Sequence, residues 1–312
     1  MTPAFAVIIC TRDGARRLPG VLDDLAREAS TAPADWELVV VDNGSADDSA
    51  EVARSYADRL PVRVAVEPEA GLARARNRAL AATSAPAVVF LDDDVRVDAG
   101  WLAAWRDALA AASPAGWFGG TVLPTWPDGK PGWVRDERLE LLAGVYGLHR
   151  VSPRTVDHAE GHPLPIGAHF AVRRSAFERV GPFRHDLGLV GRRRGLGEET
   201  EWFGRALAQG VGGRHVGEAV VRHPVPRRRL RLSALVRHGV LSGVAHARIH
   251  ANAPRGSRAR ALLHVLRGVG QWVRGRGDRF RQCLVNAGIE LGLRREQAAR
   301  VHACKGAEAG AP

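Results

Sequence analysis

The chain has little cysteine, and its three cysteines do not form a recognisable ligand set. The number of cysteines is odd, and they are spread widely along the 312 residues, at Cys10, Cys283 and Cys304. Disulfide frameworks and zinc sites need paired or regularly spaced cysteines, so the sequence excludes both as organising elements. Sparse cysteine is typical of a reducing compartment, and we expect a cytoplasmic protein.

Long hydrophobic runs are also missing. No apolar stretch comes near the roughly 20 residues that a membrane-spanning helix requires, and the apolar run at residues 5–10 is too short for the core of a signal peptide. The chain contains neither a Walker A loop nor a Rossmann glycine fingerprint, and it has no internal repeat. A length of 312 residues allows one large or two modest domains, and a content of 45% hydrophobic and 25% charged residues is typical of a globular protein.

Positive charge is concentrated towards the C-terminal end, and almost all of it is arginine. Residues 222–312 contain nineteen Lys and Arg against four Asp and Glu, whereas the whole chain contains 45 against 34. Such a tail either binds phosphate groups, on a nucleic acid, a lipid headgroup or a substrate, or is a solvated surface. Nucleic acid is disfavoured, because only Trp272 and Phe280 place aromatic rings among the arginines.

Strand and helix patterns alternate through the first two thirds of the chain. Apolar runs predict strands at residues 5–10, 37–41, 62–66, 87–91, 117–122, 168–172 and 217–221. Amphipathic segments predict helices at residues 16–29, 71–82, 101–112 and 200–209, and Ser45 is predicted to cap a further helix. This alternation indicates an α/β fold, with a mostly parallel, Rossmann-like sheet flanked by helices.

We divide the chain into three parts, 1–122, 123–225 and 226–312. The first two are halves of the α/β domain, and residues 123–165 are rich in Pro, Gly and Trp, as substrate loops often are. The third part is predicted to be a helical, basic C-terminal extension. Around residues 259–274 its apolar side chains share one helix face, and Arg260, Arg267, Arg274 and Arg281 recur every seven residues. The pattern fits a helix on an anionic membrane surface or one packed on the catalytic domain, and we favour packing.

Three consecutive aspartates, Asp92, Asp93 and Asp94, follow the predicted strand at residues 87–91. Adjacent carboxylates repel one another, and burying them costs free energy unless a cation or hydrogen-bond donors compensate. Oxygen ligands suit Mg²⁺ or Mn²⁺, and open α/β sheets bind ligands beyond the carboxyl ends of their strands. The sequence therefore predicts a metal site in an active-site crevice. The alternative is a solvated acidic turn before the next helix.

Polar side chains also follow the first two predicted strands and begin the second helix. Thr11 and Arg12 stand where a loop can contact a nucleotide, or where an ordinary turn connects strand to helix. Asp42 can accept hydrogen bonds from a base or ribose, or from its own turn. Arg76 lies in a helix that opens in small residues, and guanidinium groups suit a diphosphate.

Two further features indicate acid–base or metal chemistry. Glu198, Glu199 and Glu201 begin a predicted helix, where they either complement its dipole or supply a general base. His223 follows the last predicted strand and is either a metal or phosphate ligand or a structural histidine.

The order and spacing of these segments resemble a family 2 glycosyltransferase with the GT-A fold. The matching segments are residues 11–12, 41–45, 71–77, 92–94, 165–174 and 197–201, and the resemblance covers roughly residues 5–225. It implies a nucleotide-diphosphate sugar donor, an inverting transfer to an acceptor hydroxyl, and a divalent ion, Mn²⁺ or Mg²⁺. Residues 1–122 would be the nucleotide-sugar-binding half and 123–225 the acceptor-binding half.

The resemblance also implies roles for individual residues. The donor would be bound by Thr11, Arg12, Asp42, Arg76, Asp92, Asp93, Gly167 and Ala168. The ion would be held by Asp94 with Asp92 and His223, and Glu199 would be the catalytic base. Glu199 stands where the family usually has Asp, and the neighbouring Glu198 and Glu201 compete for its role. His169 stands where Asn is common and is expected to alter the sugar contacts.

Other functions remain open on these residues. One is a nucleotidyltransferase that makes a nucleotide-sugar, although the segment after the first strand is short and polar for that chemistry. Another is a phosphate- or membrane-binding module dominated by the basic tail, which would not need the aspartates. For the glycosyltransferase, the acceptor is a glycan, a lipid-linked molecule or a small molecule. The basic tail adds the option of peripheral contact with an anionic membrane, on its inner face.

Overall fold

Nine strands form one mixed sheet in a computed structural model that describes residues 3–31, 35–189, 195–250 and 252–309, with side chains described to residue 300. The strands are β1 Phe5–Thr11, β2 Trp36–Asp42, β3 Val62–Val66, β4 Ala87–Asp92, β5 Arg96–Val97, β6 Trp117–Thr125, β7 Val156–Asp157, β8 His169–Arg173 and β9 Gly213–Pro224. All the predicted strands are present. The two short strands β5 and β7 are additional, and β9 extends beyond both ends of its prediction.

The described helices lie between and after these strands. They are α1 Leu18–Thr31, α2 Ser49–Arg54, α3 Leu72–Ala81, α4 Trp101–Ala110, α5 Ala143–Tyr146, α6 Arg174–Val180, α7 Glu198–Ala208, α8 Leu232–Ile249, α9 Arg258–Val273 and α10 Gly277–Ala309. The predicted cap at Ser45 is wrong, because α2 begins only at Ser49. The Ser45 hydroxyl instead accepts a hydrogen bond from the backbone N–H of Asp13, at 3.0 Å.

The strand order is β3-β2-β1-β4-β8-β6-β9-β5, with β7 paired to β9. The neighbouring strands β3, β2, β1 and β4 are all parallel, as are β6 and β9. Strand β8 is antiparallel to both of its neighbours, β4 and β6. The predicted α/β sheet of mostly parallel strands, with a helical C-terminal extension, is confirmed. The parallel register puts the ends of β1, β2 and β4 at one edge, where Thr11 pairs with Asp42 and Cys10 with Asp92.

Apolar side chains cover both faces of this sheet, which explains why the strands are near-continuous hydrophobic runs. Phe5, Val7 and Ile9 of β1 lie in one buried cluster, with residues of α1 and α4. The alternate residues Ala6 and Ile8 lie in a second cluster on the other face, with residues of α3 and α7. Strand β1 therefore contributes to the buried core on both faces of the sheet.

The chain folds into two compact units. Of the residues that the structure describes, those within 1–125, 147–192 and 198–224 form the first unit, which contains the whole sheet, and those within 126–146, 193–197 and 225–312 form the second. Residues 126–146 thus group with the C-terminal helices, and they include a 3₁₀-helix, Asp136–Leu142. The three-part division made from the sequence stays a prediction.

Within the second unit, α8 and α10 approach each other through glycines. A Cβ atom on Gly239 would lie 2.1 Å from the carbonyl oxygen of Val285, so no larger side chain fits. The packing predicted for the apolar stripe of α9 is wrong: Leu262, Leu266, Val269 and Val273 are all exposed. The arginine repeat does not share one helix either, since Arg281 lies on α10. No described helix is long and apolar enough to cross a membrane.

Candidate active site

Strand β4 ends at Asp92, and the loop before β8 lies directly beside it. The backbone N–H of Asp92 donates to the carbonyl oxygen of Ala168 at 3.1 Å, which brings the predicted donor-site residues Gly167 and Ala168 to the aspartate cluster. This contact follows from the antiparallel pairing of β4 with β8, in which Leu91 faces His169. The loop that carries Gly167 and Ala168 is therefore hydrogen-bonded to the end of β4.

Asp92, Asp94 and His223 converge at this edge of the sheet. One ligand atom from each residue lies within 4.8 Å of the others, and His223 Nε2 is 3.9 Å from Asp94 Oδ1. Parallel pairing of β9 with β6, which sets His223 opposite Pro124, carries the histidine to the site. Burial, and then the charge of Asp94, raises the pKa of Asp92 well above its usual range. A cation between these groups would offset that cost.

The carboxylate of Asp93 lies towards the first loop. It accepts a hydrogen bond from the Thr11 hydroxyl at 2.6 Å and two from Arg17, at 3.0 and 2.8 Å. The exposed Arg12 lies in the same loop, and its carbonyl oxygen accepts a bond from Arg17. Arg17 was not singled out in the sequence, because an arginine in a helix-start region is unremarkable there. It fixes the middle aspartate, so that Asp92 and Asp94 flank a tethered residue.

At the end of β2, Asp42 and Asn43 organise a turn. Asp42 Oδ1 accepts a bond from the N–H of Ser45 at 3.0 Å, which is the side-chain turn considered as its alternative role. Asn43 accepts a bond from the N–H of Gly71 at 2.7 Å and donates to the carbonyl oxygen of Glu67 at 3.0 Å. The amide thereby ties this turn to the start of α3, a role that the sequence motif did not reveal.

Arg76 is buried beneath the site. Its guanidinium donates to Glu198 at 2.7 Å and to the carbonyl oxygen of Gly167 at 2.9 Å. It also lies over three phenylalanine rings, at 5.2 to 5.8 Å from the centroids of Phe90, Phe170 and Phe183. The predicted contact of Arg76 with a diphosphate stays a prediction, and in this structure its side chain joins Gly167 to the first turn of α7.

The three glutamates of α7 have different surroundings. Glu198 is paired with Arg76, and Glu201 is paired with Arg205 at 2.8 Å. Glu199 is half-buried, and burial together with the neighbouring Glu198 raises its pKa to about 7, against the opposing charge of Arg76. Its carboxyl carbon lies 3.7 Å from where a Cβ atom on Gly167 would stand. Glu199 therefore lies beside the loop at Gly167 with a carboxyl group whose pKa is close to neutral.

His169 does not reach the sugar site, so the expectation for this position is wrong. The residue is fully buried, and its Nε2 accepts hydrogen bonds from the indole N–H groups of Trp101 and Trp105, at 2.8 and 3.0 Å. The proton must then sit on Nδ1, which lies 3.3 Å from the carbonyl oxygen of Thr121. Burial lowers the pKa of His169 to about 3. The sequence did contain one indication of a buried acceptor, because Trp101 and Trp105 lie four residues apart on one face of α4.

The amino-acid sequence is similar to those of known glycosyltransferases. The model of glycosyl transferase family 2 matches residues 6–181. Validoxylamine A glucosyltransferase from Streptomyces hygroscopicus subsp. limoneus is 37% identical over 115 residues, which are 36% of this chain and 25% of that protein. Glycosyltransferase AglE from Haloferax volcanii is 26% identical over 226 residues, 71% of this chain and 67% of that protein. The alignment thus spans only about a quarter of the Streptomyces relative.

Solved structures share the fold. The mannosyltransferase PcManGT from Pyrobaculum calidifontis, in complex with GDP-Man and Mn²⁺, superposes with a TM-score of 0.63 at 21% identity, covering 94% of this chain and 88% of that one. S. aureus TarS 1–349, in complex with UDP-GlcNAc, gives 0.54 at 15% identity, covering 97% and 92%. Because the family model covers more than half of the chain, the resemblance predicted from the motifs is confirmed, and the chain belongs to glycosyl transferase family 2.

Proposed function

We propose that this protein transfers a sugar from a nucleotide-diphosphate sugar to an acceptor hydroxyl, with inversion at the anomeric carbon and with a divalent ion. The observation that carries the proposal is the convergence of Asp92, Asp94 and His223 within 4.8 Å, at the end of a buried strand. Two acidic side chains and an imidazole in this position have no apolar packing role. The general rule that open α/β sheets bind ligands at this edge supports the same interpretation.

The side chains at this edge fit Mn²⁺ or Mg²⁺. Two carboxylates supply the oxygen ligands that both ions prefer, and His223 adds one nitrogen. The raised pKa of Asp92 fits a site in which a cation compensates for close negative charges. When bound, the ion would stabilise negative charge on the departing diphosphate as a Lewis acid. The PcManGT complex with GDP-Man and Mn²⁺ makes Mn²⁺ the first ion to test.

Glu199 is the proposed base. In an inverting transfer it removes the proton from the acceptor hydroxyl as the oxygen attacks the anomeric carbon and the diphosphate leaves. A carboxylate with a pKa of about 7 is a better proton acceptor than an ordinary glutamate and is still ionised in part at neutral pH. The pairing of Glu198 with Arg76 and of Glu201 with Arg205 leaves those two glutamates less suited to the role.

The donor is proposed to lie across the ends of β1, β2 and β4. The candidate contacts are Thr11, Arg12, Asp42, Asp92, Asp93, Gly167 and Ala168, with Arg76 supporting Gly167 from below. Complexes of the two structural neighbours, with GDP-Man and with UDP-GlcNAc, define the donors to try first. Among the described residues at this edge of the sheet, no feature favours a nucleotidyltransferase over this reaction.

The test is a thermal-shift screen of nucleotide-sugars with and without Mn²⁺, followed by product analysis. We expect one donor to raise the melting temperature only when Mn²⁺ is present, because ligand binding stabilises the folded state. Asp94→Ala should stay folded and lose this ion-dependent shift. Asp98→Asn is the matched control: Asp98 is a nearby acid paired with Arg222 and outside the cluster, so its donor shift should persist.

Product analysis separates the remaining alternatives. Inversion predicts that the product and the donor have opposite anomeric configurations, which NMR coupling constants report. Full transfer by Asp94→Ala without added metal would refute the role of the ion. Release of pyrophosphate from a sugar phosphate and a nucleoside triphosphate would instead identify a nucleotidyltransferase.

A further inference from the structure

Helix α9 turns its large apolar side chains outward. Their exposed fractions lie between 36% and 74%, and they are Leu262, Leu263, Val265, Leu266, Val269, Trp272 and Val273. The buried residues of this helix are small: Ala261 and Gly268. A Cβ atom on Gly268 would lie 3.1 Å from Cys283 and 3.2 Å from Phe280, so the glycine faces α10 at close range. The helix thus packs through its small residues and exposes its large ones.

Helical spacing joins these side chains into one stripe. Leu262, Leu266, Val269 and Val273 follow one another at intervals of three and four residues, which places them on one face, and Val265 and Trp272 lie along its edge. We call these six residues the α9 apolar face. A contiguous exposed apolar patch is uncommon in a monomeric protein and marks a surface for interaction.

The charge around the α9 apolar face has one sign. Residues 252–277 contain no Asp or Glu, and Arg258, Arg267, Arg274 and Arg276 are all exposed. Arg260 is the exception in this segment, because its guanidinium donates to Glu290 of α10 at 2.8 Å. The partner of this surface must therefore combine an apolar region with a negative charge.

We propose that the α9 apolar face docks on the surface of an anionic lipid bilayer, with the helix lying in the plane of the interface. The leucines and valines would enter the acyl boundary, Trp272 would lie at headgroup level, and the arginines would pair with lipid phosphates. A second copy of the chain is disfavoured as the occupant, because it would bring two acid-free arginine segments together. The helix lies on the membrane and does not span it, in keeping with its length and charge.

Flotation of the full chain with vesicles tests this proposal without any sugar substrate, so its outcome is independent of the proposed catalysis. We expect the protein to float with vesicles of phosphatidylcholine and phosphatidylserine at low ionic strength and to be released as salt rises. A much smaller fraction of the protein should float with vesicles of phosphatidylcholine alone. Replacing Arg267 and Arg274 by Gln should weaken partitioning by about fivefold for each arginine. Absence of any bound fraction on anionic vesicles at low salt overturns the proposal.

The apolar contribution is tested by the double variant Leu266→Glu/Val273→Glu. Both side chains are more than half exposed, so its melting temperature should match that of the wild type, while vesicle binding falls by about tenfold or more. Leu207→Glu is the control for the single variant Leu266→Glu: each adds one negative charge at an exposed leucine, 44% exposed on α7 and 60% exposed on α9, and only Leu266→Glu should weaken vesicle binding. Unchanged binding of the double variant overturns the proposal. So does light scattering that shows a dimer, abolished by the double variant, in a protein that does not bind vesicles.

Discussion

Arg76 Nη1 lies 2.7 Å from a carboxylate oxygen of Glu198, and only 2% and 5% of these two side chains are exposed. Arg76 belongs to α3 and Glu198 begins α7, so the ion pair joins helices that are far apart in the sequence. The same guanidinium donates to the carbonyl oxygen of Gly167. The pair therefore sets the first turn of α7, including Glu199, beside the loop that lines the strand end.

Arg76→Met should lower the free energy of unfolding by about 3–5 kcal/mol, because it leaves Glu198 buried without a partner. Adding Glu198→Leu should recover part of the loss, since neither charge then remains. Arg74→Met is the matched control, as Arg74 lies on the same helix in a more exposed pair with Glu69; it should cost about 1 kcal/mol or less. Urea denaturation gives the free energy of unfolding of Arg76→Met, of Arg76→Met/Glu198→Leu and of Arg74→Met. Equal costs for the two arginines would contradict a structural role for the buried pair.

His169→Asn should lower the free energy of unfolding by about 2–4 kcal/mol at pH 7, because two indole N–H groups lose a shared acceptor and a cavity forms. The folded-state pKa of about 3 lies below the usual value of 6.5, so the stability contributed by the neutral ring is present above pH 6.5 and is lost as the pH falls. The difference in the free energy of unfolding between wild type and variant should therefore become smaller towards pH 4. The exposed His185→Asn is the control, with a change within about 0.5 kcal/mol. A gap that widens in acid would be inconsistent with this arrangement.

The sequence predicted what depends on local pattern. Runs such as residues 5–10 and 87–91 alternate with amphipathic helices, and a parallel sheet follows from that alternation. The carboxyl edge of such a sheet is common to its parallel strands, so the amino-acid sequence alone was enough to predict that Asp42 and Asp92 lie at one edge of the sheet. His223 was assigned from its position after the predicted strand at residues 217–221, and in the structure it lies near the end of the longer strand β9.

What the sequence could not predict depends on contacts between distant residues. The antiparallel insertion of β8 carries His169 into the core, and nothing in its own segment distinguishes this position from a pocket position. Arg76 pairs with a residue 122 positions away, so its burial was invisible in its helix. The apolar stripe of α9 has the period of a packed helix, but the side that is buried carries the small residues Ala261 and Gly268, and Gly268 faces α10.

Gly147→Ala should weaken the proposed metal site. Gly147 has a φ of +67°, and a Cβ atom there would stand 3.0 Å from Nδ1 of His223, so the substitution displaces the imidazole. Changes that disturb the orientation of a metal ligand cost about 10–100-fold in affinity when an outer-shell partner is lost, and for this displacement we expect about tenfold in the Mn²⁺ concentration that gives half of the thermal shift. Gly210→Ala carries a similar backbone penalty, at a φ of +70° with no atom within 4 Å, and should leave Mn²⁺ binding unchanged. If the two variants changed the required Mn²⁺ concentration equally, His223 would not be a ligand of the metal.

Glu199→Gln should abolish turnover while donor binding persists. Loss of a general base typically lowers the rate by about 10²–10⁴-fold, and the amide keeps the shape of the side chain. In the wild type the base must be ionised, so the rate should rise with pH through about 7 and then level off. Single-turnover rates from pH 5.5 to 8.5 measure both effects. Turnover by Glu199→Gln together with its loss in Glu198→Gln would transfer the role to Glu198.

Glu199→Gln should also gain stability relative to the wild type as the pH rises, although it abolishes turnover. A packing role for Glu199 alone would not produce this pH dependence. The folded-state pKa of Glu199, about 7, lies above its ordinary value of 4.5, so the native protein holds a proton that the unfolded chain has lost between those pH values. The stability that this proton contributes is complete below pH 4.5 and is lost as the pH rises to 7. Gln does not titrate, so the melting temperature of Glu199→Gln relative to wild type should increase from pH 4.5 to 7 and stay constant above pH 8. A difference that is independent of pH would mean that burial and Glu198 do not hold the proton on Glu199.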